Sequence, residues 1–352
     1  MMVNTFKEDI KNLTTDQLVA WLQSLGIQSY RAIQILKWIY QHQEDHFEKM
    51  TDLGQEIRQR ISERFETGRL GIIEVKTSED GAKKILFKLE DGNRIESVLI
   101  PEKSYHTLCI SSQVGCSQGC RFCLTARGGC IRNLTCGEII AQVRDILTTL
   151  DSSQKISNIV LMGMGEPLAN YQNVVNALSV ITNRDYGLGF SERRVTVSTA
   201  GLVPKLIDLS RDTNVNIAVS LNATTNQTRN MLMPINRKYP IEDLLDTCSR
   251  IQLPKGRKIT MEYIVIKGIN DTLEDAKRLA KLLRPIRCKI NLIPFNPYKD
   301  CDLKRPDEAR IQAFREFLTK EHYTVMVRYS KGQDISAACG QLATHRCIPD
   351  EI

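Results

Sequence analysis

From Thr107 onward, short apolar runs alternate with amphipathic helices, and no other feature limits the possible folds so tightly. Strand-like runs fall at 108–112, 158–162, 195–199, 217–221, 259–265 and 290–295, with helical patterns such as 137–150, 171–182 and 272–283 between them. Strands that are apolar on both faces and separated by helices belong to parallel sheets covered on both sides. Six such β/α units imply an α/β fold, a parallel sheet curled into a partial (β/α)6 barrel. Sheets of this kind bind ligands at the carboxyl ends of their strands, so chemistry is sought in the loops that follow each strand.

Upstream, helices are expected at 15–25, closed by Gly26, at 30–41, where Ala32, Ile35, Leu36, Ile39 and Tyr40 recur at helical spacing, and at 52–65. Strands at 71–75, 84–89 and 94–100 are separated by Asp80-Gly81 and Asp91-Gly92, dipeptides that favour hairpin turns. The expected division is a helical accessory domain over 1–70, a β extension over 71–104, and the barrel with its C-terminal loop over 105–352. Hydrophobic residues make up 42% of the chain, enough for one barrel-sized core. Lys7, Glu8, Asp9 and Lys11 interrupt any apolar leader, and no membrane-spanning run occurs, so a cytoplasmic location is expected. Of the net charge of +7, residues 1–70 contribute none, holding nine basic and ten acidic side chains. A basic excess in the remainder permits a phosphate-backbone partner without requiring one.

Eleven cysteines in a long chain with no export signal point to metal or redox chemistry rather than disulfides. Three are clustered in Cys116-Ser117-Gln118-Gly119-Cys120-Arg121-Phe122-Cys123, between the first barrel strand and its helix. Three such thiolates suit three irons of a four-iron cluster and leave the fourth iron open. A structural zinc site is the competing reading, with Cys130 or Cys136 as a fourth ligand. Further polar residues stand at strand ends, where a cofactor would need partners: Ser198, Ser220 and Asn222, and Asn296. Taken singly, each reads equally well as an ordinary loop residue.

The C-x3-C-x2-C spacing, with Phe122 before its last cysteine and Gly163-Met164-Gly165-Glu166-Pro167 after the second strand, resembles the radical-SAM superfamily. That resemblance implies one 4Fe-4S cluster on Cys116, Cys120 and Cys123. It also implies S-adenosylmethionine on the open iron, with Gly165 and Glu166 facing its amino group and Ser198, Ser220, Leu221, Asn222 and Asn296 as further contacts. Two outlying cysteines narrow the match. Cys109 lies seven residues before Cys116, and Cys339 sits in Asp334-Ile335-Ser336-Ala337-Ala338-Cys339-Gly340-Gln341-Leu342. With Ser111-Ser112-Gln113-Val114-Gly115-Cys116 and Asn291-Leu292-Ile293-Pro294-Phe295-Asn296-Pro297, they closely resemble the RlmN/Cfr family of RNA adenine methyltransferases over nearly the whole chain.

The family resemblance implies a two-step methyl transfer that uses two S-adenosylmethionine molecules per turnover. Cys339 carries the methyl, Glu96 accepts a proton from a covalent protein–RNA adduct, and Cys109 releases the product, leaving a Cys109–Cys339 disulfide to be reduced. Expected partners are 23S rRNA, tRNA and a reducing electron donor of flavodoxin or ferredoxin type, with the enzyme a monomer. Gly165-Glu166-Pro167 looks more like the type that methylates carbon 2 of adenine than the Cfr type that methylates carbon 8. Asn222 departs from the pattern, since many relatives carry histidine there. Arg121, Arg127 and Arg132, together with Arg193 and Arg194, are candidates to meet RNA phosphates near the site, and Trp21 and Trp38 are expected in the core. Cys130, Cys136, Cys248, Cys288, Cys301 and Cys347 are read as ordinary buried thiols. A non-catalytic, metal-containing RNA-binding factor is the alternative from another class, as is a radical-SAM enzyme acting on a protein or small molecule.

Overall fold

The computed structural model describes residues 7–151 and 154–343. The amino-terminal part holds helices α1 (Thr15–Ser24), α2 (Tyr30–Tyr40) and α3 (Gln55–Arg64), and two short parallel strands, β1 (Glu8–Asp9) and β2 (Phe65–Glu66), join its ends. A reciprocal cap starts α1: the Gln17 N–H donates to Thr14 Oγ1, and the Thr14 N–H donates to Gln17 Oε1. The apolar stripe of α2 is buried as its spacing requires. Trp21 meets Phe65 edge-on at 4.8 Å, and Trp38 donates to Asp52 while packing against the core.

Strands β3 (Gly71–Thr77), β4 (Lys83–Lys88) and β5 (Arg94–Pro101) form an antiparallel meander. Strand β5 pairs antiparallel with β6 (His106–Cys109), so the meander extends the barrel sheet. After β6 the chain leaves the sheet for a hairpin of β7 (Gln113–Gly115) and β8 (Cys130–Asn133), with the short helix α4 (Leu124–Arg127) inside it. The first barrel strand therefore ends earlier than the apolar run 108–112 suggests. The reason lies in Ser111, whose N–H and carbonyl bond the side chain of Gln142 rather than a neighbouring strand. Gly115 closes the hairpin at φ +80, and a Cβ there would stand 2.0 Å from the Gly129 carbonyl oxygen.

The remaining units are α5 (Cys136–Leu147), β9 (Ile156–Leu161), α6 (Tyr171–Thr182), β10 (Val195–Thr199), α7 (Val203–Asp212), β11 (Asn216–Ser220), α8 (Asn226–Leu232), α9 (Ile241–Arg250), β12 (Ile259–Val265), α10 (Leu273–Leu283), β13 (Cys288–Pro294), α11 (Glu308–Lys320) and β14 (Val325–Val327). The large sheet runs β14-β13-β12-β11-β10-β9-β6-β5-β4-β3, parallel from β14 to β6. Its seventh parallel strand, β14, is only three residues long and half exposed, which hides it from pattern reading. Helix α5 is buried between the sheet and the amino-terminal helices. There the fully buried Arg144 donates to the Ile39 carbonyl at 2.9 Å and to Asp45 at 2.5 Å, fastening the two parts together. Among the described residues no helix is long and apolar enough to cross a membrane.

Candidate active site

At the carboxyl ends of the parallel strands, two neighbouring cavities open. The first, about 160 Å³, is lined by Cys116, Cys120, Cys123, Gly165, Glu166, Ser198, Ser220 and Asn222, among others, and by Cys339. The second, about 310 Å³, is lined by Cys109, Cys123, Arg328 and again Cys339. Cys339 thus stands between the cluster cysteines on one side and Cys109 on the other, although 230 residues of sequence separate it from Cys109.

Several bonds hold Cys339 there. Its carbonyl accepts from Asn296 Nδ2 at 3.2 Å, the next carbonyl, of Gly340, accepts from the Leu124 N–H at 2.7 Å, and Leu342 accepts from Thr125 Oγ1 at 2.6 Å. The last two fasten its loop to the segment just after Cys123. Asn296 is therefore a brace for the Cys339 loop and does not line either cavity, though its Oδ1 is buried with no partner among the described residues. Leu221 also stays out of the cavities. Its side chain is in the core, its N–H donates to the Glu262 carbonyl, and its own carbonyl accepts from Arg229.

Glu166 is buried and accepts from the N–H groups of Leu168 at 3.0 Å and Ala200 at 2.7 Å. Burial raises its pKa against these hydrogen bonds. Gly165 before it has φ +100, and a Cβ there would stand 2.6 Å from Gln113 Cβ, so only glycine lets this loop lie against the hairpin. Asn222 also has positive φ, at 56°, a conformation that asparagine tolerates. Its Oδ1 accepts from the Ile264 N–H at 2.8 Å, so this residue shapes the loop as well as lining the cavity.

Glu96 does not lie on an exposed edge. It is 2% exposed on β5, flanked by β4 and β6, pairs with Lys84 at 3.0 Å, and accepts from the Ala343 N–H at 3.0 Å, four residues past Cys339. Neither cavity is lined by it. Burial pushes the thiol of Cys109 up to about 12, with Cys339 adding and Arg328 opposing, and it pushes Cys116 up to about 12 as well. Cys120 and Cys123 are raised for the same reason. Such thiols give up their protons to a cation that coordinates them. Among the described residues, no three His, Cys, Asp or Glu side chains converge on one ion. Cys116, Cys120 and Cys123 line one cavity, and three thiolates are the number that a 4Fe-4S cluster with one open iron takes.

Some expectations fail on position. Arg193 and Arg194 precede β10 and so lie at the amino end of its strand, opposite the cavities, because a parallel strand carries its preceding loop to the far side of the sheet. Arg132 is taken by Asp91 and Glu138, whereas Arg121 and Arg127 sit beside the cluster loop, against Asp302 and the Tyr298 ring. Cys136, Cys248 and Cys288 are buried, Cys301 is partly so, Cys130 is exposed on β8, and Cys347 lies outside the described residues. Pattern reading missed Glu262 on β12, Asn291 on β13 and Arg328 just past β14. The signal for the first was an acidic residue inside the apolar run 259–265.

The family model described as the ribosomal RNA large subunit methyltransferase N-terminal domain matches residues 8–67, and that of the radical SAM superfamily matches residues 110–283. The dual-specificity RNA methyltransferase RlmN of Desulfosudis oleivorans is 54% identical over 96% of this chain and 91% of its own. That of Geobacter sulfurreducens is 52% identical over 95% and 91%. A crystal structure of a radical SAM methyltransferase from Sphaerobacter thermophilus superposes with a TM-score of 0.89 at 40% identity, covering 96% of this chain and all of that one.

Proposed function

The chain belongs to the RlmN family of radical SAM RNA methyltransferases, and on that premise we propose that it methylates carbon 2 of one adenosine in the peptidyl-transferase region of 23S rRNA and of the adenosine beside the anticodon in some tRNAs. The observation that carries this reading is the place of Cys339 between the two cavities. A methyl-carrying residue must meet the methyl source and the target base in turn, and a side chain in the shared wall can face both. When bound at the first cavity, a 4Fe-4S cluster with S-adenosylmethionine supplies one-electron cleavage to a carbon radical, chemistry that acid–base groups cannot provide.

Cys116, Cys120 and Cys123 hold the cluster. Gly165, Glu166, Ser198, Ser220 and Asn222 bind S-adenosylmethionine, while Leu221 and Asn296 support that wall and the Cys339 loop. Cys339 would take the first methyl as a thioether, give one hydrogen atom of it to that carbon radical, and bond through the resulting methylene to the electrophilic ring position, with the oxidised cluster as the acceptor for the adduct's unpaired electron. Glu96, tethered to the same loop through Ala343, accepts the ring proton. Cys109 then displaces the product by forming a disulfide with Cys339, and both thiols must be reduced before another turnover. Residues 1–70 act as an accessory RNA grip, 71–104 as the extension that delivers Glu96, and 105–352 as the catalytic barrel. A cytoplasmic monomer drawing electrons from a flavodoxin- or ferredoxin-type donor completes the reading.

The test is anaerobic turnover with reductant, methyl-labelled S-adenosylmethionine and unmodified 23S rRNA or tRNA, read by nucleoside mass spectrometry. 2-Methyladenosine with wild type and none with Cys339→Ala is the expected result. 8-Methyladenosine would assign the Cfr type, and cofactor cleavage with no RNA product would overturn the reading.

A further inference from the structure

Glu262 is the most conspicuous group at this site that the reaction above does not use. It sits on β12 in register with Ser220 of β11 and with Asn291 of β13, and is 4% exposed. Partners on adjacent parallel strands are about 4.8 Å apart, with side chains on one face, and both Ser220 and Glu262 line the smaller cavity. Glu262 Oε1 accepts from Asn291 Nδ2 at 3.0 Å, while Oε2 is buried with no hydrogen-bond partner among the described residues. A buried carboxylate oxygen left unpaired is costly, and native proteins keep very few. A donor that enters the cavity would supply the missing partner.

Resting on the proposed function, we infer that Glu262 is a cofactor-binding residue whose free oxygen accepts a hydrogen bond from a ribose hydroxyl of S-adenosylmethionine. Two facts favour the diol over the other donors of that molecule. Glu166 already provides a buried carboxylate elsewhere in the same cavity for the ammonium group. In addition, an acceptor pair of Ser220 hydroxyl and Glu262 carboxylate, one strand apart, matches two vicinal hydroxyls, and an acidic side chain on a ribose hydroxyl is a recurrent solution in nucleotide sites. No alkyl or aromatic side chain could replace it there, since neither accepts a hydrogen bond.

The test uses the reconstituted holoenzyme, kept anaerobic, without reductant or RNA, and measures dissociation constants for S-adenosylmethionine and its 2′-deoxy and 3′-deoxy analogues, with iron content and melting temperature as controls for folding. In wild type, at least one analogue binds about tenfold more weakly, the scale of one charge-assisted hydrogen bond. In Glu262→Met, S-adenosylmethionine itself binds about tenfold more weakly and the analogue is no longer disfavoured. Equal binding of all three compounds by wild type overturns the inference without any variant, as does undiminished discrimination in Glu262→Met. A wild-type cluster whose spectrum ignores S-adenosylmethionine would overturn the proposed function itself.

Discussion

Gln142 on α5 is fully buried and does two jobs at once: its Oε1 accepts from Ser97 Oγ at 2.9 Å and the Ser111 N–H at 2.8 Å, and its Nε2 donates to the Ser111 carbonyl at 2.9 Å. Ser111 in turn donates to the Glu96 carbonyl at 2.7 Å and accepts from the Met164 N–H at 2.9 Å. One side chain therefore fixes the point where the chain leaves β6 for the cysteine hairpin, next to both Glu96 and the Gly165 loop. Gln142→Met keeps the length and leaves three buried polar groups without their partner. At about 1–3 kcal/mol for each orphaned group, reduced because the Ser97 hydroxyl can turn, the expected loss is about 4 kcal/mol. With unfolding entropy near 2.1 cal/mol/K per residue, a chain of 352 residues changes its melting temperature by about 1.4 °C per kcal/mol, so the drop is about 5 °C. Calorimetry of wild type and variant under identical anaerobic conditions checks it. Gln142→Glu, which sets an oxygen against the Ser111 carbonyl, should lose at least as much at neutral pH and recover part of it in acid. A melting temperature within 1 °C of wild type for Gln142→Met would refute the reasoning, because the network would then carry no net stability.

Three further outcomes are expected. Burial raises the pKa of Glu262 from 4.5 to about 7, so ionising it costs the folded state: the stability it allows is complete below pH 4.5 and is lost as pH rises through 7, about 3 kcal/mol in all. Without S-adenosylmethionine, Glu262→Gln should accordingly flatten the pH dependence of denaturant unfolding between 4.5 and 7, and an unchanged slope would contradict the assignment. Gly165→Ala, strained at φ +100 and in collision with Gln113, should keep its iron but bind S-adenosylmethionine at least tenfold more weakly by equilibrium dialysis. Arg144→Met removes a buried cation from the Ile39 carbonyl and from Asp45, which keeps Arg69 as a partner, so the loss is about 3 kcal/mol, at the low end for a broken buried pair. Limited proteolysis should then cut within residues 1–70, and RNA methylation should fall while cofactor cleavage persists.

The barrel is legible because short apolar runs alternate with amphipathic helices, and a run such as 259–265, buried on both faces, can be little else. What escaped did so for physical reasons. At three half-exposed residues, β14 carries no apolar run to see. The early end of β6 depends on Gln142, a residue 31 positions away from the Ser111 it bonds, and no local pattern encodes that contact. Arg193 and Arg194 adjoin a strand in sequence, but chain direction sets them at its amino end, away from the cavities.

Among the candidate residues the division follows how each acts. The cysteine triplet is a local motif, so its spacing survives translation into sequence. Cys109 and Cys339 are single residues whose meaning is their meeting, and they were found only by likeness to a family; the fold shows why they meet, since β6 and the loop after β14 both deliver their residues to the carboxyl end of one sheet. Glu262 had no such help. An acidic residue in a strand reads as solvent-facing until the register shows Ser220 and Asn291 on either side of it and helices over the outer face. Its unpaired oxygen exists only at the level of packing, the level at which a carboxylate ceases to be a surface charge and becomes a demand for a donor.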